Sequence, residues 1–272
     1  MSELDTRATL RYLVPTGERP VYIASTPGAD AALDIGASFE DHELPIHDAR
    51  SMLPEANLEQ QGFCLVRHAT TVTDFYNLDA RREEYEREIS ALVLAASGGS
   101  DGLVFDHTMR SDSRDVRGSR STREPASVIH NDYTDASARK RLLDLLPAAE
   151  AEQRLEKRFA IINLWRTIAG PVYHSPLACC DAATLEPADL VASERRAQDR
   201  IGELELVSWN PAHRWYYFPA MQADEALLIK TYDSAEDGRA RRSIHTAFDN
   251  PLAPAGAPPR ESIESRLLVF YD

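Results

Sequence analysis

Apolar and polar positions alternate over short runs along most of this chain, and these runs predict strands more often than helices. Two open the sequence, at residues 9–14 and 20–24, separated by the turn-like Pro15-Thr16-Gly17-Glu18-Arg19. A third covers 62–68, and a buried one is expected at 103–105. Further strands are expected at 126–133, 158–165, 177–180, 204–209, 214–218, 226–232 and 262–271. The clearest helical period runs from 79 to 96. There Tyr85, Ile89, Leu92 and Leu94 share an apolar face, and Ser97-Gly98-Gly99 supplies a stop. Shorter helices are predicted at 136–146 and 148–157. The polar, serine- and arginine-rich stretch 110–124 reads as a mobile surface loop, with an active-site lid as its functional alternative.

Many short strands with Pro and Gly turns point to a sandwich or barrel. One domain over residues 1–272 is expected, with an N-terminal α/β flank to about 105 and a β core from about 106. No run of about 18 apolar residues suggests a membrane span, and the mixed-charge start Met1-Ser2-Glu3-Leu4-Asp5 does not resemble a signal peptide. Three cysteines, two of them adjacent (Cys179 and Cys180), form neither a disulfide framework nor a Cys-x-x-Cys zinc motif. A cytoplasmic protein without a membrane partner is expected. The net charge of −14 argues against nucleic acid as a partner. A small molecule is the expected ligand.

Chemistry enters at His130-Asn131-Asp132, the one His-x-Asp in the sequence. In a strand, residues i and i+2 project to the same face, so one imidazole and one carboxylate share a space. That suits two ligands of a 2-His-1-carboxylate site for non-haem iron(II), although a solvated pair at a strand edge has the same spacing. Downstream candidates for the third ligand are His174, His213 and His245. His174 and His213 stand in turns, and placement favours His245. Beyond it lie Arg260, after Pro258-Pro259, and Arg266, inside the last strand. Either could fork onto a carboxylate. The structural alternative for Arg266 is an ion pair with Glu264, and for Arg260 an ordinary surface position. There is no Gly-x-Ser-x-Gly elbow for serine hydrolysis.

Taken together, these residues and several others resemble the CmcJ/NvfI family, which includes AsaB-like hydroxylase/desaturases. The resemblance is carried by His130-Asn131-Asp132-Tyr133, Asn163-Leu164-Trp165-Arg166, Ser175-Pro176-Leu177-Ala178, Trp215-Tyr216-Tyr217-Phe218-Pro219, Asp224-Glu225-Ala226, His245-Thr246-Ala247-Phe248 and Pro259-Arg260-Glu261-Ser262. It implies a mainly β fold with flanking helices around a double-stranded β-helix (jelly-roll) core. It also implies Fe(II), with 2-oxoglutarate and O2 as cosubstrates, and oxidation of a C–H bond of a small molecule by hydroxylation, desaturation or ring formation. On this resemblance the iron ligands are His130, Asp132 and His245. The cosubstrate arginine is Arg266 first and Arg260 second. Tyr133, Trp165, Arg166, Tyr217 and Phe270 are candidates to line the substrate pocket. Thr167 departs from the Pro that often follows Trp-Arg in the family, whereas Asp132 retains the carboxylate that halogenating relatives lack. A cupin-like isomerase or dioxygenase would keep the triad without 2-oxoglutarate, and a binding protein on the same fold would need no metal chemistry.

Overall fold

The computed structural model describes residues 2–197 and 200–272. Fifteen strands and five helices follow along the described chain. The first strands are β1 (Thr6–Leu13), β2 (Val21–Ile23), β3 (Asp34–Gly36) and β4 (Phe39–Asp48), then helix α1 (Ala49–Met52) and β5 (Phe63–Arg67). Helix α2 (Arg82–Ser97), strand β6 (Asp101–Ser111) and helix α3 (Arg114–Arg120) come next. Strand β7 (His130–Asn131) is followed by helices α4 (Asp135–Leu145) and α5 (Ala148–Leu155), then by β8 (Phe159–Thr167) and β9 (Leu177–Cys180). The chain closes with β10 (Leu190–Ala197), β11 (Arg200–Val207), β12 (Trp215–Tyr217), β13 (Glu225–Asp233), β14 (His245–Ala247) and β15 (Glu261–Phe270).

These strands form two sheets, ordered β1-β4-β12-β9-β14-β7-β11-β10-β2-β3 and β5-β13-β8-β15-β6. Apolar side chains from both meet between them: Phe63, Trp165, Leu227 and Ile229 of the smaller sheet face Leu177, Cys179, Tyr216 and Ala247 of the larger. This is the jelly-roll arrangement the resemblance implies. Strand β8 lies between β13 and β15 and is buried at every position, which explains its nearly continuous apolar sequence. Its outward face, with Ala160, Ile162 and Leu164, is covered by Tyr85, Ile89 and Val93 of α2.

Several predicted boundaries shift. Strand β6 runs well past 105, so the start of the expected loop at 110 belongs to a strand, and α3 occupies the middle of the segment. Predicted strand 126–133 shrinks to two paired residues. Strands β3, β4 and β10 were not predicted; most of their polar residues sit at exposed or half-buried positions, with Asp48 and Ser193 buried, and blur the alternation. Residues before 105 supply strands to both sheets and do not form a separate flank.

Helix α2 ends as its glycines require. Gly98 takes a left-handed conformation (φ 70°) and its N–H bonds the Leu94 carbonyl. Gly99 then passes so close to β15 that an added methyl would fall inside the van der Waals envelope of Val269 Cγ1. Gly99→Ala is expected to destabilise the fold by about 1–3 kcal/mol through overpacking, measured by denaturant unfolding.

A buried ion cluster closes the end of β13 remote from the Pro-rich loop. Lys230 Nζ lies 2.9 Å from Asp233, both side chains fully buried, and Arg158 Nη2 reaches Asp233 at 2.6 Å. Burial alone would raise the Asp233 carboxyl, but Arg158 and Lys230 outweigh it and hold the group below its ordinary value. A depressed carboxyl contributes stability above the unfolded value of about 4 and loses it as pH falls through the folded value. Urea unfolding should therefore show lower stability below about pH 4. Asp233→Ala should cost about 3 kcal/mol at neutral pH, because fully buried Lys230 loses its buried partner and keeps only the half-exposed Glu59 at 3.2 Å.

Candidate metal centre

The two residues of β7 bridge β14 and β11, and the register sets His130 directly opposite His245. The imidazole centroids are 4.6 Å apart. Asp132 follows just beyond the strand and still projects to the His130 side, with His130 Nε2 3.7 Å from Asp132 Oδ1. Immediately after Tyr133, Thr134 caps α4 in a capping box with Ser137, which anchors the chain that carries Asp132. One donor atom from each of His130, Asp132 and His245 lies within 4.8 Å of the others.

The hydrogen bonds around this triad leave the donors a metal needs. His130 Nδ1 donates to the Val128 carbonyl (2.8 Å) and His245 Nδ1 to the Ser243 carbonyl (3.1 Å). A carbonyl only accepts, so each Nδ1 carries the proton and each Nε2 keeps its lone pair. Burial first, and the neighbouring His245 next, push His130 down to about 3, so it stays neutral. Asn163 Nδ2 (2.7 Å) and Arg266 Nε (3.0 Å) donate to Asp132 Oδ2, leaving Oδ1 toward the imidazoles. Burial would raise this carboxyl, yet the Arg266 guanidinium, with the hydrogen bond from Asn163, holds it well below its ordinary range. Two neutral imidazole nitrogens and one carboxylate oxygen make a donor set that fits iron(II).

The other downstream histidines are elsewhere. His213 Nε2 meets Asp189 at 3.0 Å and its Nδ1 meets the Tyr12 hydroxyl. His174 is not part of the cluster.

Strand β15 decides between the two arginines. Its even-numbered residues pair with Thr167, Trp165, Asn163, Ile161 and Phe159 of β8, so Ser262, Glu264, Arg266, Leu268 and Phe270 share the inner face. Arg266 is saturated there, bonding Asp132, Asp106, Glu264 and Thr108. The ion pair with Glu264 that the sequence offered as an alternative is present. Arg260 is different. It is 2% exposed, its guanidinium donates to Ser262 Oγ (3.0 Å) and the Ser175 carbonyl (2.6 Å), and no carboxylate pairs with it among the described residues. Burial, then Arg110, pushes it down to about 9. The guanidinium lies 5.0 Å from the Trp165 ring, whose Nε1–H is buried without a partner. Of the two, Arg260 is thus the one whose guanidinium meets no carboxylate among the described residues.

Of the five pocket candidates, Tyr133 lines a cleft beside Asp132, and Trp165 faces the interior beside Arg260. The other three do not reach the site. Arg166 points to the opposite face of β8, where its Nη2 meets His68 Nδ1 at 2.8 Å. Tyr217 bonds the Leu4 carbonyl and packs with Trp215 and Phe248. Phe270 lies at the far end of the inner face, under Ala138, Leu142 and Ala151 of α4 and α5. Each sits in a strand, but strand parity and distance along the sheet set them apart. Asn163 and Ser262 were missed as site residues; counting two-residue steps back from Arg266 would have grouped Ser262 with it, whereas Asn163 needs the β8–β15 register.

Among the described residues, no helix is long and apolar enough to cross a membrane. A family model described as "Oxidoreductase/YMDC permease-like domain" matches residues 10–270. The hydroxylase/desaturase efuI of Hormonema carpetanum is 33% identical over 256 residues, which span 86% of this chain and 85% of that protein. The Fe(II)/2-oxoglutarate-dependent dioxygenase nvfI of Aspergillus novofumigatus is 31% identical over 245 residues, 86% of this chain and 84% of that one. The solved structure of the iron and alpha-ketoglutarate-dependent endoperoxidase NvfI matches with a TM-score of 0.85 at 27% identity, covering 99% of both chains.

Proposed function

We propose that this chain, which belongs to the CmcJ/NvfI-like family of Fe(II)/2-oxoglutarate-dependent oxygenases, holds its iron between His130 Nε2, His245 Nε2 and Asp132. The enzyme oxidises a C–H bond of a small molecule of natural-product type, by hydroxylation, desaturation or ring formation. The observation that carries the ligand assignment is the hydrogen bonding of the triad: both Nδ1 atoms are occupied and both Nε2 atoms are free. When bound, iron(II) with 2-oxoglutarate and O2 supplies the oxidation, 2-oxoglutarate leaving as succinate and CO2.

The chain's own residues position these reactants. Asn163 and Arg266 fix the Asp132 carboxylate in one orientation, as outer partners of metal ligands do. Arg260 is the anchor for the distal carboxylate of 2-oxoglutarate, because its buried guanidinium lies between the sheets beside Trp165 with no carboxylate partner among the described residues, whereas Arg166, also buried and without one, points to the opposite face of β8. Ser262 Oγ and the unused Trp165 N–H stand beside it as further donors. Tyr133 forms part of the wall against which the substrate rests. The whole chain acts as one oxygenase domain, since both sheets draw strands from before and after residue 105. Three free cysteines, two of them buried, agree with a reducing cytoplasmic location.

Succinate measurement tests the reading. Product and succinate should form in equal amounts, and only with Fe(II), 2-oxoglutarate and O2 present. Product without succinate would point instead to the cupin-like chemistry that keeps the triad alone.

A further inference from the structure

A cleft of about 530 Å³, walled by Arg110, Arg123, Arg141, Arg195 and Arg200, reaches Arg266, and an adjoining cleft that shares Arg141, Arg195, Arg200 and Arg266 with it reaches Asp132. The arginines come from four places in the fold: the end of β6, the bridge that pairs Arg123 with Arg110, helix α4, and the β10–β11 pair. Such convergence is unexpected in a chain with a net charge of −14. Among the described residues, the acidic groups that line these clefts include Asp106 and Asp132, and both are already paired with Arg266. Lys140 and Asp144 at the rim pair with each other, and Glu203 pairs with Arg19.

Among the described residues, no carboxylate pairs with Arg110, Arg123, Arg141 or Arg195. Arg110 donates to the Glu124 carbonyl, and Arg141 has a buried Nε without a partner. Burial first, then Arg110 and Arg195, push Arg123 below the ordinary arginine value; burial and Arg266 do the same to Arg195. Half-buried guanidinium groups that repel one another are unfavourable unless an anion joins them. Arg260 already provides for 2-oxoglutarate deeper between the sheets, so these outer arginines are surplus to the cosubstrate.

We infer that the substrate carries an oxyanion, as carboxylate, sulfate or phosphate, which the cleft arginines hold while the carbon to be oxidised lies over the metal centre. This assignment of substrate class rests on the oxygenase reading above. The fork of each guanidinium suits two oxygens of one anionic group, and several forks converging leave little tolerance for a neutral one.

Calorimetric titration of the protein loaded anaerobically with Fe(II) and 2-oxoglutarate tests this, using benzoate, phenyl sulfate and phenyl phosphate with benzamide as neutral isostere, at constant ionic strength. At least one anion should bind about ten-fold tighter than benzamide or better, and the tightest identifies the oxyanion. The preference should weaken with added NaCl. It should drop by about ten-fold in Arg123→Gln/Arg195→Gln, with 2-oxoglutarate affinity within about two-fold of the parent. If that double variant is misfolded by circular dichroism, Arg141→Gln is read in the same way. Equal binding of benzamide and all three anions overturns the proposal, as does an undiminished preference in a folded variant. A parallel loss of 2-oxoglutarate affinity also overturns it, by giving these arginines to the cosubstrate. Repeating the titration without metal or cosubstrate keeps the two ideas apart. Anion preference in a protein that never binds 2-oxoglutarate retains the cleft and removes the oxygenase ligand set; 2-oxoglutarate binding without anion preference does the reverse.

Discussion

Asp132→Ala and His245→Ala are each expected to abolish the weak visible absorption band that develops when Fe(II) and 2-oxoglutarate are added anaerobically to the parent protein. Loss of a partner behind a ligand typically costs about 10–100-fold in metal affinity, so loss of a ligand itself should cost more than about 100-fold. The two variants remove different donors. Asp132→Ala takes away the one carboxylate facing the imidazoles, while Arg266 keeps its pairs with Asp106 and Glu264 and so keeps the inner face in place. His245→Ala removes a buried ring whose backbone pairs with β7 and β9, leaving the strand register to the main chain. Folded variants that bind iron with parental affinity would show that the ligand set is wrong.

Arg260→Gln should weaken 2-oxoglutarate by at least about 30-fold and leave iron affinity unchanged. The estimate follows from truncating one partner of a buried, hydrogen-bonded charge pair, which costs about 2–5 kcal/mol. Glutamine retains a donor near Ser262 and Ser175, so the loss reports on charge and fork geometry more than on packing. Arg266→Gln has the opposite signature. It should weaken iron first, because Arg266 Nε holds Asp132 Oδ2 and its other nitrogens neutralise Asp106 and Glu264. Parallel titrations of iron and 2-oxoglutarate against both variants separate the roles. A cosubstrate affinity untouched by Arg260→Gln would return the anchor to Arg266.

Periodicity and residue type were enough for a mainly β architecture, the helix ending at Gly98, and a His-x-Asp pair on one face of an extended segment. These are short-range properties: two-residue alternation, a left-handed glycine cap, and projection at i and i+2 are written into the backbone's local geometry. Placement already favoured His245, and the family motifs strengthened that choice. What local pattern could not decide was which side chains meet across the sheets. Arg266 lies inside β15 and Arg260 just before it, yet among the described residues one is saturated with carboxylates and the other pairs with none, because the β6 and β8 registers bring Asp106 and Asn163 opposite Arg266 and Thr108 opposite Glu264. Arg166, Tyr217 and Phe270 fell away from the site for the same reason: register and parity, not residue type, set what they touch. The arginine cleft gathers residues from position 110 to position 266, and only the folded pairing of β6, β10, β11, β15 and α4 makes them neighbours.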